Sequence, residues 1–205
     1  MMPIQTSVKQ TYDQIGADFS ATRTHLLPEV VALLPKLNPK STILDLGCGN
    51  GVLLTALPKS TDYTGIDFSQ TLIREAKKLH PGAKFVLGDI LDPNIWPGLG
   101  EYDFIVALAV FHHLPDHQSQ LNLFAQIKTH LKPTGSLLIS VWDLTKAKFD
   151  PYRQGKHLSI PFHGGAKRFF YAFTPSELEN LAQKAGFTQT KSVVSRNNFY
   201  LSLTT

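Results

Sequence analysis

Three aspartates, Asp45, Asp67 and Asp89, stand 22 residues apart, and the run Gly47-Cys48-Gly49-Asn50-Gly51 begins two residues after the first. The interval is the length of one strand-plus-helix unit, and the local patterns agree with it. Short apolar runs read as strands at Thr42–Leu46, Tyr63–Asp67, Ala83–Gly88, Tyr102–Phe111 and Ser136–Trp142. Between them Asn50–Leu57, Ser69–Leu79 and Asp116–Leu131 read as helices. In the last, Leu121, Phe124, Ile127 and Leu131 fall at helical spacing. Ser69 is placed to cap its helix. Strands alternating with helices make right-handed βαβ units and a parallel sheet. Each aspartate then sits at, or just past, the C-terminal end of a strand, where open α/β sheets bind ligands.

The flanks follow other patterns. Val8–Phe19 and Leu26–Leu34 read as two helices ahead of the sheet. Lys132-Pro133-Thr134-Gly135 reads as a turn. Asp143 to Lys167 is loop-like, with two prolines and three glycines. Thr174-Pro175-Ser176-Glu177 has capping-box spacing and opens a helix that Gly186 stops. Phe187–Ser195 and Phe199–Leu203 read as a hairpin across Arg196-Asn197-Asn198. The expected fold class is α/β: a Rossmann-like, doubly wound, mostly parallel seven-stranded sheet with a C-terminal antiparallel hairpin.

Composition excludes several classes. At 42% hydrophobic residues the chain is no disordered segment, and 205 residues bury a real core in one domain. One cysteine, Cys48, makes neither a disulfide framework nor a Cys-rich zinc site, and no histidine sits in a metal pattern. The longest apolar run, Phe104 to Phe111, is eight residues, far short of a membrane span. The first ten residues lack the apolar core of a signal peptide. A cytoplasmic protein with no metal and no membrane partner is expected. The net charge of +4 is too small to name a nucleic-acid partner by itself.

The glycine loop follows the first strand and opens a helix. Its glycines stand at i, i+2 and i+4, with an acid two residues ahead. A dinucleotide loop reads G-x-G-x-x-G and cradles a pyrophosphate, and a P-loop needs Gly-Lys-Ser/Thr. An acid at the loop suits a ligand that carries a cation. The segment Leu44-Asp45-Leu46-Gly47-Cys48-Gly49-Asn50-Gly51 resembles the cofactor loop of class I S-adenosylmethionine-dependent methyltransferases. Asp67 after the second strand, Gly88-Asp89 after the third and the run around the fourth fall in that family's order, over residues 40–142. The resemblance implies S-adenosylmethionine as cofactor. It implies that Asp45 and the backbone of Gly47, Cys48, Gly49 and Asn50 hold the methionine end. Asp67, followed by Phe68, would accept the ribose hydroxyls; Asp89 and Ile90 would read the adenine, with Leu108 nearby. The chain divides accordingly into N-terminal helices (1–38), a cofactor-binding core (39–142), a basic substrate-side loop (143–171) and a C-terminal helix and hairpin (172–205).

The methyl acceptor is read from what is missing and from the arginines. No Asn/Asp-Pro-Pro-aromatic run follows the fourth strand, and Cys48 is in the wrong loop for a nucleophile. His112-His113 reads as a base or orienting group, or as an ordinary strand-end turn. There are five arginines, and four of them lie outside the core: Arg23, Arg153, Arg168 and Arg196. Arginine grips carboxylate or phosphate with two parallel hydrogen bonds. Tyr12-Asp13-Gln14-Ile15, Phe19-Ser20-Ala21-Thr22-Arg23, Ala109–His113, Val141-Trp142, Arg168–Tyr171 and Arg196–Phe199 resemble segments of the tRNA wobble-uridine carboxymethyl methyltransferases. Phe170 and Phe199 depart from that family's residues. This resemblance implies methyl esterification of a carboxymethyl group on tRNA, with Arg23, His112, Arg168 and Arg196 positioning the acceptor and Trp142 or Tyr171 against a base. Residues 144–171 carry a net charge of +5, so an anion would arrive there. A small-molecule carboxylate is the alternative acceptor, and a non-catalytic cofactor- or RNA-binding subunit the alternative of another class. Eukaryotic members of that family work with a small activating protein; the sequence locates no such interface.

Overall fold

The computed structural model describes residues 4–162, 166–195 and 197–205. One sheet of seven strands organises the chain, in the order β3-β2-β1-β4-β5-β10-β9. Its strands are β1 (Thr42–Leu46), β2 (Asp62–Asp67), β3 (Lys84–Leu87), β4 (Tyr102–Leu108), β5 (Leu131–Trp142), β9 (Thr188–Val194) and β10 (Asn198–Thr204). The first five run parallel, and β10 and β9 are antiparallel. The strand order reverses between β1 and β4, which opens a crevice at their C-terminal ends. The inner strands are apolar on both faces. Ile43, Leu44, Leu46, Ile105, Val106, Leu137, Leu138 and Ile139 are all buried. No helix among the described residues is long and apolar enough to cross a membrane.

The helices are α1 (Ile4–Ala21), α2 (Pro28–Val31), α3 (Gln70–Leu79), α4 (His117–His130) and α5 (Pro175–Lys184). The caps read from the sequence are present. The Ser69 hydroxyl accepts from Leu72 N–H, and Thr174 and Glu177 complete a capping box. Asp116 and Ser119 form a second one.

Four local expectations are corrected. The helix expected at 50–57 is a 3-10 turn, Val52–Ala56. Between left-handed Gly51 and the extended residue before Pro58, too few residues remain for an α-helical ladder. The helix expected at 26–34 shrinks to one turn, opened by Pro28 and stopped before Pro35. The expected turn at 132–135 is an irregularity inside β5. Tyr102 pairs with Leu131 and Phe104 with Ser136, so four residues stand opposite Asp103, which takes Lys132 at 2.9 Å. The largest correction concerns 143–167. It is not all loop: together with the residues just after it, the segment builds a second, three-stranded sheet: β6 (Arg153–Gln154), β7 (His157–Pro161) and β8 (Lys167–Tyr171). It has its own core of Leu144, Leu158, Ile160, Phe170 and Ala172.

Candidate active site

A cleft opens where β1, β2, β3 and β4 end, and α1 closes one side of it. Gly47, Gly49, Asp67, Phe68, Asp89, Ile90 and Leu108 line it, as do Val8, Tyr12 and Phe19 of α1. Backbone geometry explains the glycines. Gly47 has φ +67° and packs so closely that a Cβ would stand 2.5 Å from a Val110 methyl. Gly49 has φ +56° and no protein atom within 4 Å of its would-be Cβ, so its open side faces the cleft. Ala109, just past β4, also lines the cleft and is held left-handed at φ +59°. Its N–H donates to the carbonyl and hydroxyl of Ser140, at 2.9 and 3.0 Å. A side-chain-bearing residue kept there is a strained one.

The three aspartates differ in environment. Asp67 takes Gly49 N–H on one oxygen at 2.9 Å and Ser69 N–H on the other at 2.8 Å. Each oxygen keeps accepting capacity, which suits a pair of hydroxyls. Burial, the largest influence, pushes its carboxyl up to about 6 against those two hydrogen bonds. Asp45 lies beside the cleft, not on its wall. Burial pushes it up to about 7, against a 2.8 Å hydrogen bond from the Tyr63 hydroxyl. Asp89 accepts from Leu91 N–H at 2.9 Å, which folds the segment after β3 back on itself. Cys48 is buried, and that burial together with Asp67 and Asp45 drives its thiol pKa up, so it is no nucleophile. Asn50 also stands off the cleft wall. Its amide nitrogen donates to Ser20 and to the Arg23 carbonyl, so it braces the chain after α1.

A second cluster adjoins the cleft through Tyr12 and His113. His113 Nδ1 donates to the Phe169 carbonyl at 2.7 Å, so its Nε2 accepts from the Tyr12 hydroxyl at 2.9 Å. Burial lowers its pKa to about 4. His112 is 1% exposed and is not among the residues that line the cleft. Its Nδ1 accepts Trp142 N–H at 3.0 Å, so the proton sits on Nε2, which has no hydrogen-bond partner among the described residues. Burial first, then His113 and Arg168, keep it neutral against the pull of the Ala109 carbonyl. Neither histidine has a free nitrogen lone pair to serve as a base.

Arg168 is 5% exposed. Its guanidinium lies over Trp142, Phe162 and Phe170, at 5.1, 4.7 and 5.3 Å from the ring centres, and beside the Tyr12 hydroxyl. Its Nε and Nη1 have no hydrogen-bond partner, and no acid pairs with it among the described residues. Arg23 is half-buried over Phe19, its pKa lowered by burial and by Arg168 despite Tyr12. Arg196 lies outside the described residues. The +5 of segment 144–171 divides in two. Lys146 pairs with Asp143, Arg153 with Asp150 and Lys156 with Glu177, so these cations tie β6 to the turn before it and the small sheet to α5. Lys148, Lys167 and Arg168 face no acid among the described residues.

A methyltransferase-domain model matches residues 19–192. The chain belongs to the class I S-adenosylmethionine-dependent methyltransferases. A tRNA (carboxymethyluridine(34)-5-O)-methyltransferase of Arabidopsis thaliana is 34% identical over 135 residues, 66% of this chain and 32% of that protein. A trans-aconitate 2-methyltransferase of Azoarcus sp. (strain BH72) is 31% identical over 132 residues, 63% and 49% of the two chains. This methyltransferase thus spans about a third and about half of those relatives. The solved DhpI-SAM-HEP complex superposes with TM-score 0.78 over 100% of this chain and 99% of that one, at 18% identity, which establishes the shared fold.

Proposed function

We propose that this methyltransferase esterifies a carboxylate, and that the carboxylate is a carboxymethyl group on a tRNA wobble uridine. The observation that carries this reading is Arg168, a buried guanidinium with no acid beside it among the described residues. Burying an unpaired charge is costly, and an incoming anion relieves it. Three donor nitrogens lack partners there among the described residues: Arg168 Nε and Nη1 and His112 Nε2. All three are donors, as a two-oxygen anion requires.

The cleft suits S-adenosylmethionine. Gly49 leaves backbone room, Asp67 has spare acceptor capacity, and Asp45 answers a cation. When bound, the cofactor supplies a sulfonium methyl group; transfer to a carboxylate oxygen forms the ester C–O bond, breaks the S–C bond and leaves S-adenosylhomocysteine. The residues have a limited task. A carboxylic acid is already ionised near neutral pH, so no base is needed. That agrees with two neutral histidines whose accepting nitrogens are occupied. Arg168 and Arg23 hold and orient the anion, and the aromatic walls strip part of its water.

The Arabidopsis relative's name supports the tRNA acceptor. The Azoarcus relative supports a second reading, a small carboxylic acid, which the same guanidinium would serve. Labelled S-adenosylmethionine with undermodified tRNA, digested to nucleosides, separates them. A methyl ester on a wobble nucleoside is expected. No ester above the no-enzyme control, with cofactor binding intact and label passing to small acids, would overturn the RNA reading.

A further inference from the structure

Trp142 belongs to two places at once. Its ring packs against Phe170 (5.2 Å, 23°) and beside the Arg168 guanidinium. It also lines a separate cleft at the end of β5, with Asp143, Lys148, Phe149, Asn197 and Asn198. That cleft holds about 290 Å3, room for one planar heterocycle and its sugar.

Its chemistry is specific. Trp142 and Phe149 give two aromatic surfaces. The Lys148 ammonium lies 4.9 Å from the Phe149 ring centre and has no acid partner among the described residues. Asp143 is occupied by Thr145 and by Lys146, so it adds little free negative charge. Asn197 gives its side-chain oxygen to Lys146 and presents an amide NH2 group with no partner among the described residues. An aromatic wall, a cation with no acid partner among the described residues and an amide donor are what a base with a carbonyl edge and a phosphate call for.

We propose that this cleft is a nucleotide subsite for single-stranded RNA. It takes the base of a residue next to the acceptor, with Phe149 and Trp142 against the ring, Asn197 on a base carbonyl and Lys148 on the phosphate. The inference rests on the RNA reading of the acceptor, since Trp142 joins this cleft to the Arg168 site.

The probe is a fluorescein-labelled uridine hexanucleotide, titrated by anisotropy with S-adenosylhomocysteine present. Phe149→Ala and Lys148→Ala should each weaken binding about tenfold. Lys148→Arg should restore most of it, and S-adenosylhomocysteine affinity should be unchanged in all three. Lys148 is exposed, so its variant stays informative if Phe149→Ala folds poorly. Equal hexanucleotide affinity in the parent and the Lys148 and Phe149 variants overturns the proposal. Uridine monophosphate binding as tightly as the hexanucleotide overturns its polynucleotide part. Failure of the esterification reading looks different: the hexanucleotide binds and depends on Phe149, yet no RNA gains a methyl group.

Discussion

The side-chain amide of Asn50 donates to the carbonyl oxygen of Arg23 at 2.9 Å, and the same nitrogen reaches the Ser20 carbonyl and hydroxyl at 3.2 and 3.1 Å. The glycine loop beside the candidate cofactor cleft thereby sets where a candidate acceptor-binding arginine stands. Asn50→Ala strands buried acceptors and should cost about 1–3 kcal/mol of stability. It should also raise the acceptor KM more than the cofactor Kd. A folded variant with an unchanged acceptor KM would show that the brace does not position Arg23.

Asp45 and Asp67 give the ligand-free protein an unusual pH dependence. Both carboxyls are raised by burial, to about 7 and about 6, above their unfolded values near 3.9. A raised acid contributes stability that is complete below its unfolded pKa and lost as pH climbs through the folded one. Thermal stability of the free protein should therefore gain most from these groups at about pH 4 and lose that gain progressively between about pH 4 and pH 7. A cation-bearing cofactor favours the ionised forms, so S-adenosylmethionine affinity should rise over that same window. Calorimetry from pH 5.5 to 8 reads this directly, and Asp45→Asn should flatten the upper part of the curve. A pH-independent affinity would refute it.

Gly47 and Gly49 separate packing from ligand access. Both are left-handed, so an alanine strains either by about 1–2 kcal/mol. At Gly47 the new Cβ also strikes Val110, so Gly47→Ala should lose the larger share of stability. At Gly49 the Cβ meets nothing in the protein but enters the cleft. Gly49→Ala should unfold only slightly earlier than the parent while losing most cofactor binding. Equal effects of the two on denaturation and on calorimetric affinity would contradict that division.

The sequence showed the cleft better than the acceptor site. Asp67 and Asp89, which line the cleft, and Asp45 beside it stand at successive strand ends because a βαβ period is a local property. The loop was legible because positive φ selects glycine. The small sheet was hidden because prolines and glycines surround it. The alternation of exposed His157 and Ser159 with buried Leu158 and Ile160 was its one signal. His112 and His113 are neighbours in the chain, and only tertiary partners, Tyr12, Phe169 and Trp142, decide that His113 faces the cleft. The lining by Val8 and Tyr12 follows from one face of an amphipathic helix, but its destination depends on bonds no local pattern contains. Thr11 donates to the Lys167 carbonyl and Ser69 to Asp13.

Arg168 sets function against stability. Its guanidinium sits among aromatic rings with no acid beside it among the described residues, an uncompensated buried charge. Replacing buried ionic groups by apolar residues of similar volume is often neutral or stabilising, by about 1–4 kcal/mol. Arg168→Met keeps the stem against Trp142, Phe162 and Phe170 and removes the charge. It should leave the melting temperature unchanged or higher and S-adenosylhomocysteine affinity intact, because Arg168 is not on the cofactor cleft wall. Methyl transfer to the carboxylate should fall at least about a hundredfold, the loss of one charge-assisted hydrogen-bonded pair worth about 3 kcal/mol. Arg168→Lys keeps the charge but not the fork, and should recover only part of the rate. If Arg168→Met instead unfolded the protein while Arg168→Lys was fully active, the guanidinium would be a structural cation and the carboxylate reading would lose its support.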